Sequence, residues 1–212
     1  PIRPELREEQ PYGAPQISDV ICLNVNENPY GPSAETAACI AEAVHAAAIN
    51  LNRYPDREAT ALRTELATYL EHGLSAGQVW AANGSNEIMM HIMQAFGGPG
   101  RTALSFAPTY SMYPEYARNT HTRWVQGLRR DDFTIDLQHA RELIETENPD
   151  VVFLTSPNNP TGTALDPSLI TEILNLTTGV VVVDEAYAEF RRDSTPTALA
   201  LLAEHRRLIV TR

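Results

Sequence analysis

Four consecutive valines at 180–183 narrow the choice of fold more than any other stretch of the chain. A strand with one face in water alternates apolar and polar residues, so an unbroken β-branched run must be covered on both sides. Residues 102–106, 151–155 and 208–211 read as strands of similar kind, and the short apolar run 79–82 as another. Helical spacing fills much of the remainder. Ser33 is placed to cap a helix running to about Ala48. Residues 57–72 carry Leu62, Leu66 and Tyr69/Leu70 at helical intervals, with Gly73 as a stop. A further helix presents Ile88, Ile92 and Phe96 on one face and ends at Gly97-Gly98. Others are predicted near 136–145, 167–176 and 198–204. Strands alternating with helices imply an α/β fold, a mostly parallel sheet with helices on both faces. Residues 1–30, rich in Pro and charge at their start, read as an N-terminal arm, and 31–212 as the large domain.

Bulk properties exclude several functions. The formal charge of −11 leaves no basic face for nucleic acid phosphates. No apolar run approaches the roughly 18 residues of a membrane span, so no membrane partner is expected. Two cysteines, Cys22 and Cys39, do not make a disulfide framework, and the simplest expectation is a reducing cytoplasm. All 16 cationic side chains are arginines, and there is no lysine. A high-GC codon bias accounts for a shortage of lysine, but any chemistry that needs a lysine amine lies beyond this polypeptide alone.

In a parallel sheet, ligands sit beyond the carboxyl ends of the strands, so the strand exits are the places to look for chemistry. Asn83-Gly-Ser-Asn-Glu87 is a glycine turn feeding a helix, whose first N–H groups and a nearby hydroxyl suit an anion such as phosphate. Taken alone, an ordinary helix cap is the commoner use of such residues. Ser156-Pro-Asn-Asn-Pro-Thr-Gly162 follows a strand, and its prolines and glycine set a turn in which each Asn can offer an amide. A rigid loop without a ligand reads equally well. Asp184-Glu-Ala-Tyr187 follows the valine run directly. An Asp there would lie at the crevice floor, where a carboxylate is costly unless a cation or hydrogen-bond donors meet it. The plainer alternative is an Asp capping the next helix. No metal-binding pattern stands out.

In this order the motifs resemble the fold-type I pyridoxal 5'-phosphate (PLP) aminotransferases, and most closely the histidinol-phosphate aminotransferase branch. The stretches that carry the resemblance are Leu23-Asn-Val-Asn-Glu-Asn-Pro-Tyr-Gly31, Arg53-Tyr-Pro-Asp56, Ala82-Asn-Gly-Ser-Asn-Glu87, Ala107-Pro-Thr-Tyr-Ser-Met-Tyr113, Ser156-Pro-Asn-Asn-Pro-Thr-Gly162 and Val183-Asp-Glu-Ala-Tyr187. It covers about residues 12–212. The resemblance implies that Gly84, Ser85 and Asn86 hold the cofactor phosphate and that Tyr110 stacks on the pyridine ring. It implies that Asn159 and Tyr187 hydrogen-bond the ring's phenolic oxygen, and that Asp184 pairs with the ring nitrogen. Tyr54 would reach the cofactor of a neighbouring subunit, making a homodimer part of the site, and Tyr12 and Glu27 would lie near the substrate.

The same resemblance implies a reaction. Histidinol phosphate and imidazole-acetol phosphate would be interconverted with glutamate as amino donor and 2-oxoglutarate as its product, a step of histidine biosynthesis. It also implies a Ser-Lys pair a few residues past 208–211, whose lysine anchors the cofactor and shuttles a proton. The chain stops at Arg212 and starts at Pro rather than Met. The expectation is therefore a portion of a longer chain, with the large domain incomplete and the C-terminal small domain and its substrate-binding arginine absent. The alternatives are an aromatic-amino-acid aminotransferase, a more distant threonine-phosphate decarboxylase, and a non-catalytic fragment that only binds a partner chain. A Rossmann-type nucleotide binder is weakened because no Gly-x-Gly-x-x-Gly stands at a strand–helix junction.

Overall fold

The computed structural model describes residues 1–8, 13, 17–21 and 23–212. Two compact units divide at Arg57 and Glu58. In the N-terminal unit, α1 (Ala34–Ala48) is capped by Ser33, whose Oγ accepts the Thr36 N–H at 3.1 Å. Every described residue from 7 to 57 is exposed.

The second unit holds α2 (Thr60–Leu70), α3 (Ser85–Phe96), β1 (Thr102–Ala107), α4 (Tyr113–Asn119), β2 (Arg123–Leu128), α5 (Leu137–Glu147), β3 (Val151–Thr155), α6 (Pro167–Leu176), β4 (Val180–Asp184) and β5 (Leu208–Thr211). The five strands form one parallel sheet in the order β2-β1-β3-β4-β5. The chain steps outward from β1 to β2, returns past β1 to β3, and then continues to β4 and β5. Strand order therefore reverses between β1 and β3, and a crevice opens at such a point beyond the carboxyl ends.

The alternation of side chains along each strand explains why both faces need cover. Leu104, Phe106, Val152, Leu154, Val181, Val183 and Leu208 point to one core with Ala140 and Ile144 of α5 and Ile170, Ile173 and Leu174 of α6. Ala103, Val151, Phe153 and Val182 point to the other, against Met89, Ile92 and Met93 of α3 and Tyr113, Tyr116 and Ala117 of α4. Val181, Val182 and Val183 are fully buried, each stabilising the fold by roughly 1.5–3 kcal/mol. The valine run therefore serves both cores at once.

Several local expectations change. Residues 79–82 form no strand. Arg63 Nε donates to the Val79 carbonyl at 2.6 Å, so a side chain satisfies the backbone group that a neighbouring strand would have taken, and Trp80 is exposed. The buried face of α3 is Met89, Ile92 and Met93, with Ile88 half-buried and Phe96 36% exposed. The predicted helix at 198–204 is a 3-10 turn, Ala198–Leu201. Strand β2 and helix α4 were not foreseen.

Candidate functional site

One cleft at the carboxyl ends of the strands collects residues from four segments. Ser85 comes from the start of α3, Tyr110 from the loop after β1, and Thr155 and Asn159 from the end of β3 and its turn. Asp184, Ala186 and Tyr187 come from the end of β4 and the turn after it. Five of these seven were singled out from the sequence, and they lie up to 102 positions apart (187 − 85).

The α3 end is built by its glycine. Gly84 is the cap residue at φ 84°, a left-handed conformation in which an L side chain is strained although nothing lies within 4 Å of an added Cβ. With Gly84 there, α3 begins at Ser85, which lines the cleft. Glu87 folds back to accept the Asn83 backbone N–H at 2.5 Å and its amide at 3.0 Å, closing the opposite side of the turn. The Asn83 backbone N–H holds the Glu87 carboxyl below its ordinary range. Asn86 Oδ1 accepts from the phenols of Tyr110 (3.1 Å) and Tyr116. Its carbonyl is thus occupied, and its amide nitrogen is the group left to meet a ligand.

Asp184 forms the floor. It is 4% exposed, and its neighbours are neutral donors: Tyr113 OH to Oδ2 at 2.7 Å, Thr211 Oγ1 to Oδ1 at 3.1 Å and the Ala186 N–H to Oδ1 at 3.2 Å. Burial pushes its carboxyl pKa up, against the pull of these hydrogen bonds. Tyr113 is fully buried, lies flat on Phe153 with centroids 4.7 Å apart, and hydrogen-bonds Thr155 Oγ1 at 2.8 Å. Burial, with the Asp184 charge beside it, holds the Tyr113 phenol well above its ordinary range, so it stays a donor. Tyr110 meets Tyr113 edge-on, with centroids 5.5 Å apart.

The other candidates divide. Asn159 lines the cleft, whereas its neighbour Asn158 is 2% exposed and spends its amide on protein groups. Glu185 turns away to accept the Ala198 N–H and the Thr197 hydroxyl, both at 2.6 Å, so it caps a distant turn and not the segment that follows it. Glu27 and Tyr54 belong to the N-terminal unit and are exposed, and Tyr12 lies outside the described residues. Sequence reasoning missed Thr155 and Tyr113. The signal for Tyr113 was its spacing from Tyr110, three residues on, which turns it inward once α4 begins. Among the described residues no cluster suits a metal ion, and no helix is long and apolar enough to cross a membrane.

Known proteins similar to this chain are aminotransferases. The histidinol-phosphate aminotransferase of Thermobifida fusca (strain YX) is 57% identical over 212 residues, covering 100% of this chain and 58% of its own length. That of Paenarthrobacter aurescens (strain TC1) is 54% identical over 215 residues with the same coverage. The chain thus spans 58% of the length of these curated relatives. The crystal structure of histidinol-phosphate aminotransferase from Sinorhizobium meliloti in complex with pyridoxal-5'-phosphate shares the fold, with a TM-score of 0.73 at 24% identity over 88% of this chain and 49% of that one. The family model for aminotransferase class I and II matches residues 18–212, and the chain belongs to that family.

Proposed function

We propose that these residues are the cofactor-binding portion of a PLP-dependent aminotransferase acting on histidinol phosphate and imidazole-acetol phosphate, with glutamate and 2-oxoglutarate as the second pair, in histidine biosynthesis. The observation that carries this reading is Asp184, a buried carboxylate that touches only neutral donors and faces an open cleft. Such a group is unfavourable until a cation meets it, and a protonated pyridine nitrogen supplies one. The other residues fit the same group. The N–H groups at Ser85 and Asn86, shaped by Gly84, suit a phosphate. Tyr110 presents an aromatic side chain to the cleft, and Asn159 and Tyr187 bring polar groups near Asp184.

When bound, the cofactor supplies an electron-withdrawing ring that makes a proton on the substrate's reacting carbon removable. The protein's part is positional and electrostatic. Asp184 would keep the ring nitrogen protonated, and Tyr113 and Thr211 hold its carboxylate in place for that role. Asn159 and Tyr187 would hold the ring's phenolic oxygen by hydrogen bonds, and Tyr110 would lie against the ring and exclude water from it. The amine that anchors the cofactor and moves the substrate proton must come from outside these residues, which contain no lysine. Tyr54 reaching the site of a second subunit, and Tyr12 and Glu27 near the substrate, belong to the same proposal.

The absence of lysine also supports a second reading, a partner-binding fragment without catalysis. Incubating the purified protein with PLP and comparing intact mass before and after borohydride reduction separates the two. A mass well above 23.4 kDa with a reduction-fixed adduct supports the enzyme. A mass near 23.4 kDa without an adduct supports the fragment. Turnover with histidinol phosphate is then compared with turnover with phenylalanine, and a strong preference for phenylalanine overturns the substrate assignment.

A further inference from the structure

Immediately after the edge strand β2, Arg129 is only 9% exposed. Its Nε donates to the Phe106 carbonyl at 3.2 Å, Nη1 to the Phe133 carbonyl at 3.0 Å and Nη2 to Asn158 Oδ1 at 3.1 Å. All three acceptors are uncharged. Burial pulls its pKa down to about 10, a sign of how poorly its charge is compensated. An apolar side chain of similar volume would fill this space at less cost. What only arginine offers is a rigid planar fork that joins three separate acceptors in one geometry.

The acceptor that matters for the cleft is Asn158. Its Nδ2 donates to the Pro108 carbonyl at 3.1 Å and to Thr161 Oγ1 at 2.7 Å, while its backbone carbonyl accepts the Gly162 N–H at 2.7 Å. Pro108 stands two residues before Tyr110, and Asn158 immediately precedes Asn159. Tyr110 and Asn159 both line the cleft. The buried pair therefore ties the loop after β1 to the turn after β3 at a point next to both cleft residues.

We propose that Arg129 is a positioning residue, which through Asn158 sets the gap between Tyr110 and Asn159 and so the fit of the ring between them. This rests on the cofactor reading above. Displacing a positioned group by about 1 Å can cost on the order of a hundredfold in activity, so a brace this close to the site has leverage on binding as well as on folding.

Four substitutions in the full-length protein, two of them made both singly and together, test it, read by the dissociation constant for PLP and by the thermal unfolding midpoint without PLP. Asn158→Asp keeps an oxygen for Arg129 and gives that guanidinium a carboxylate partner, but it removes the N–H that holds the Pro108 carbonyl. The expected result is PLP affinity lower by about tenfold or more, out of proportion to any change in the unfolding midpoint. Arg129→Lys keeps the charge but not the fork, and it too should weaken PLP binding by about tenfold. Combining Arg129→Met with Asn158→Ala should weaken binding no more than the worse single change, within about twofold, because both break one brace.

Wild-type affinity in Asn158→Asp overturns the proposal, as does a fall in its affinity matched by a fall in its unfolding midpoint, which marks a purely structural role. Wild-type affinity in Arg129→Lys also overturns it, since charge alone would then suffice. Failure of the unaltered protein to bind PLP overturns the cofactor reading itself, and this inference with it.

Discussion

Asp184 is held in an arrangement that costs free energy, because its carboxylate is buried among neutral donors. Three neutral donors surround it, and burial raises its pKa above the ordinary 3.8. Between 3.8 and that raised value, the folded chain holds a proton that the unfolded chain has lost. Stability from this group is therefore greatest at acid pH, declines as pH rises through that window, and remains a fixed penalty above it. Asp184→Asn removes the penalty. At pH 7 without cofactor the unfolding midpoint should rise, each 1 kcal/mol of relieved penalty being worth about 2–4 °C in a chain of this size. The gain should vanish below about pH 3.8, where the wild-type carboxyl is neutral in both states. The same change should weaken PLP binding by about tenfold or more, because a ring cation loses its counter-ion. Melting curves at several pH values check the first part and a PLP titration the second. An unfolding midpoint that falls at pH 7 would contradict the account.

At the scale of elements, Glu185 shows how one strand end organises a distant turn. It is 3% exposed, and its two carboxylate oxygens take the hydroxyl of Thr197 and the N–H of Ala198. Its own N–H donates to the Thr211 carbonyl at 2.8 Å, so β4, β5 and the turn at Ala198–Leu201 meet at this residue. Glu185→Ala strands two buried donors and should destabilise the fold by about 1–3 kcal/mol in urea titrations. Glu185→Gln retains an acceptor and should lose less. Equal losses in the two variants would contradict this, because Gln keeps the volume and one acceptor, and would assign the joint to the carboxylate charge instead. Because Asp184 lies one residue away, Glu185→Ala should also loosen the cleft floor.

At the scale of the whole chain, burial is uneven. Both cores belong to the unit Glu58–Arg212, whereas every described residue from 7 to 57 is exposed. Backbone with no buried side chains opens readily to proteases. Brief treatment with trypsin should cut first after Arg53 and Arg57 and leave a resistant fragment starting at Glu58, identified by mass spectrometry. Cleavage within 58–212 at the same rate would show that the sheet unit is no better protected than the rest.

The sequence by itself determined the fold class and most of the cleft. Four valines in a row demand cover on both faces whatever surrounds them, and this local fact implies the parallel sheet. The residues after β3 and β4 were legible because strand ends in such a sheet are where ligands bind. Tertiary structure decided what local pattern does not encode. Strand β2 is an edge strand whose sequence includes Arg123, Gln126 and Gly127, and its pairing with β1 makes it a strand where its composition does not. Helix α4 has seven residues and a proline at its start, too short for periodicity to register. Asn158 and Asn159 are chemically identical neighbours, yet one is buried in the Arg129 brace and the other faces the cleft. Which of them faces the cleft depends on how loops more than 20 residues apart come together (158 − 129 = 29), and no local propensity carries that information.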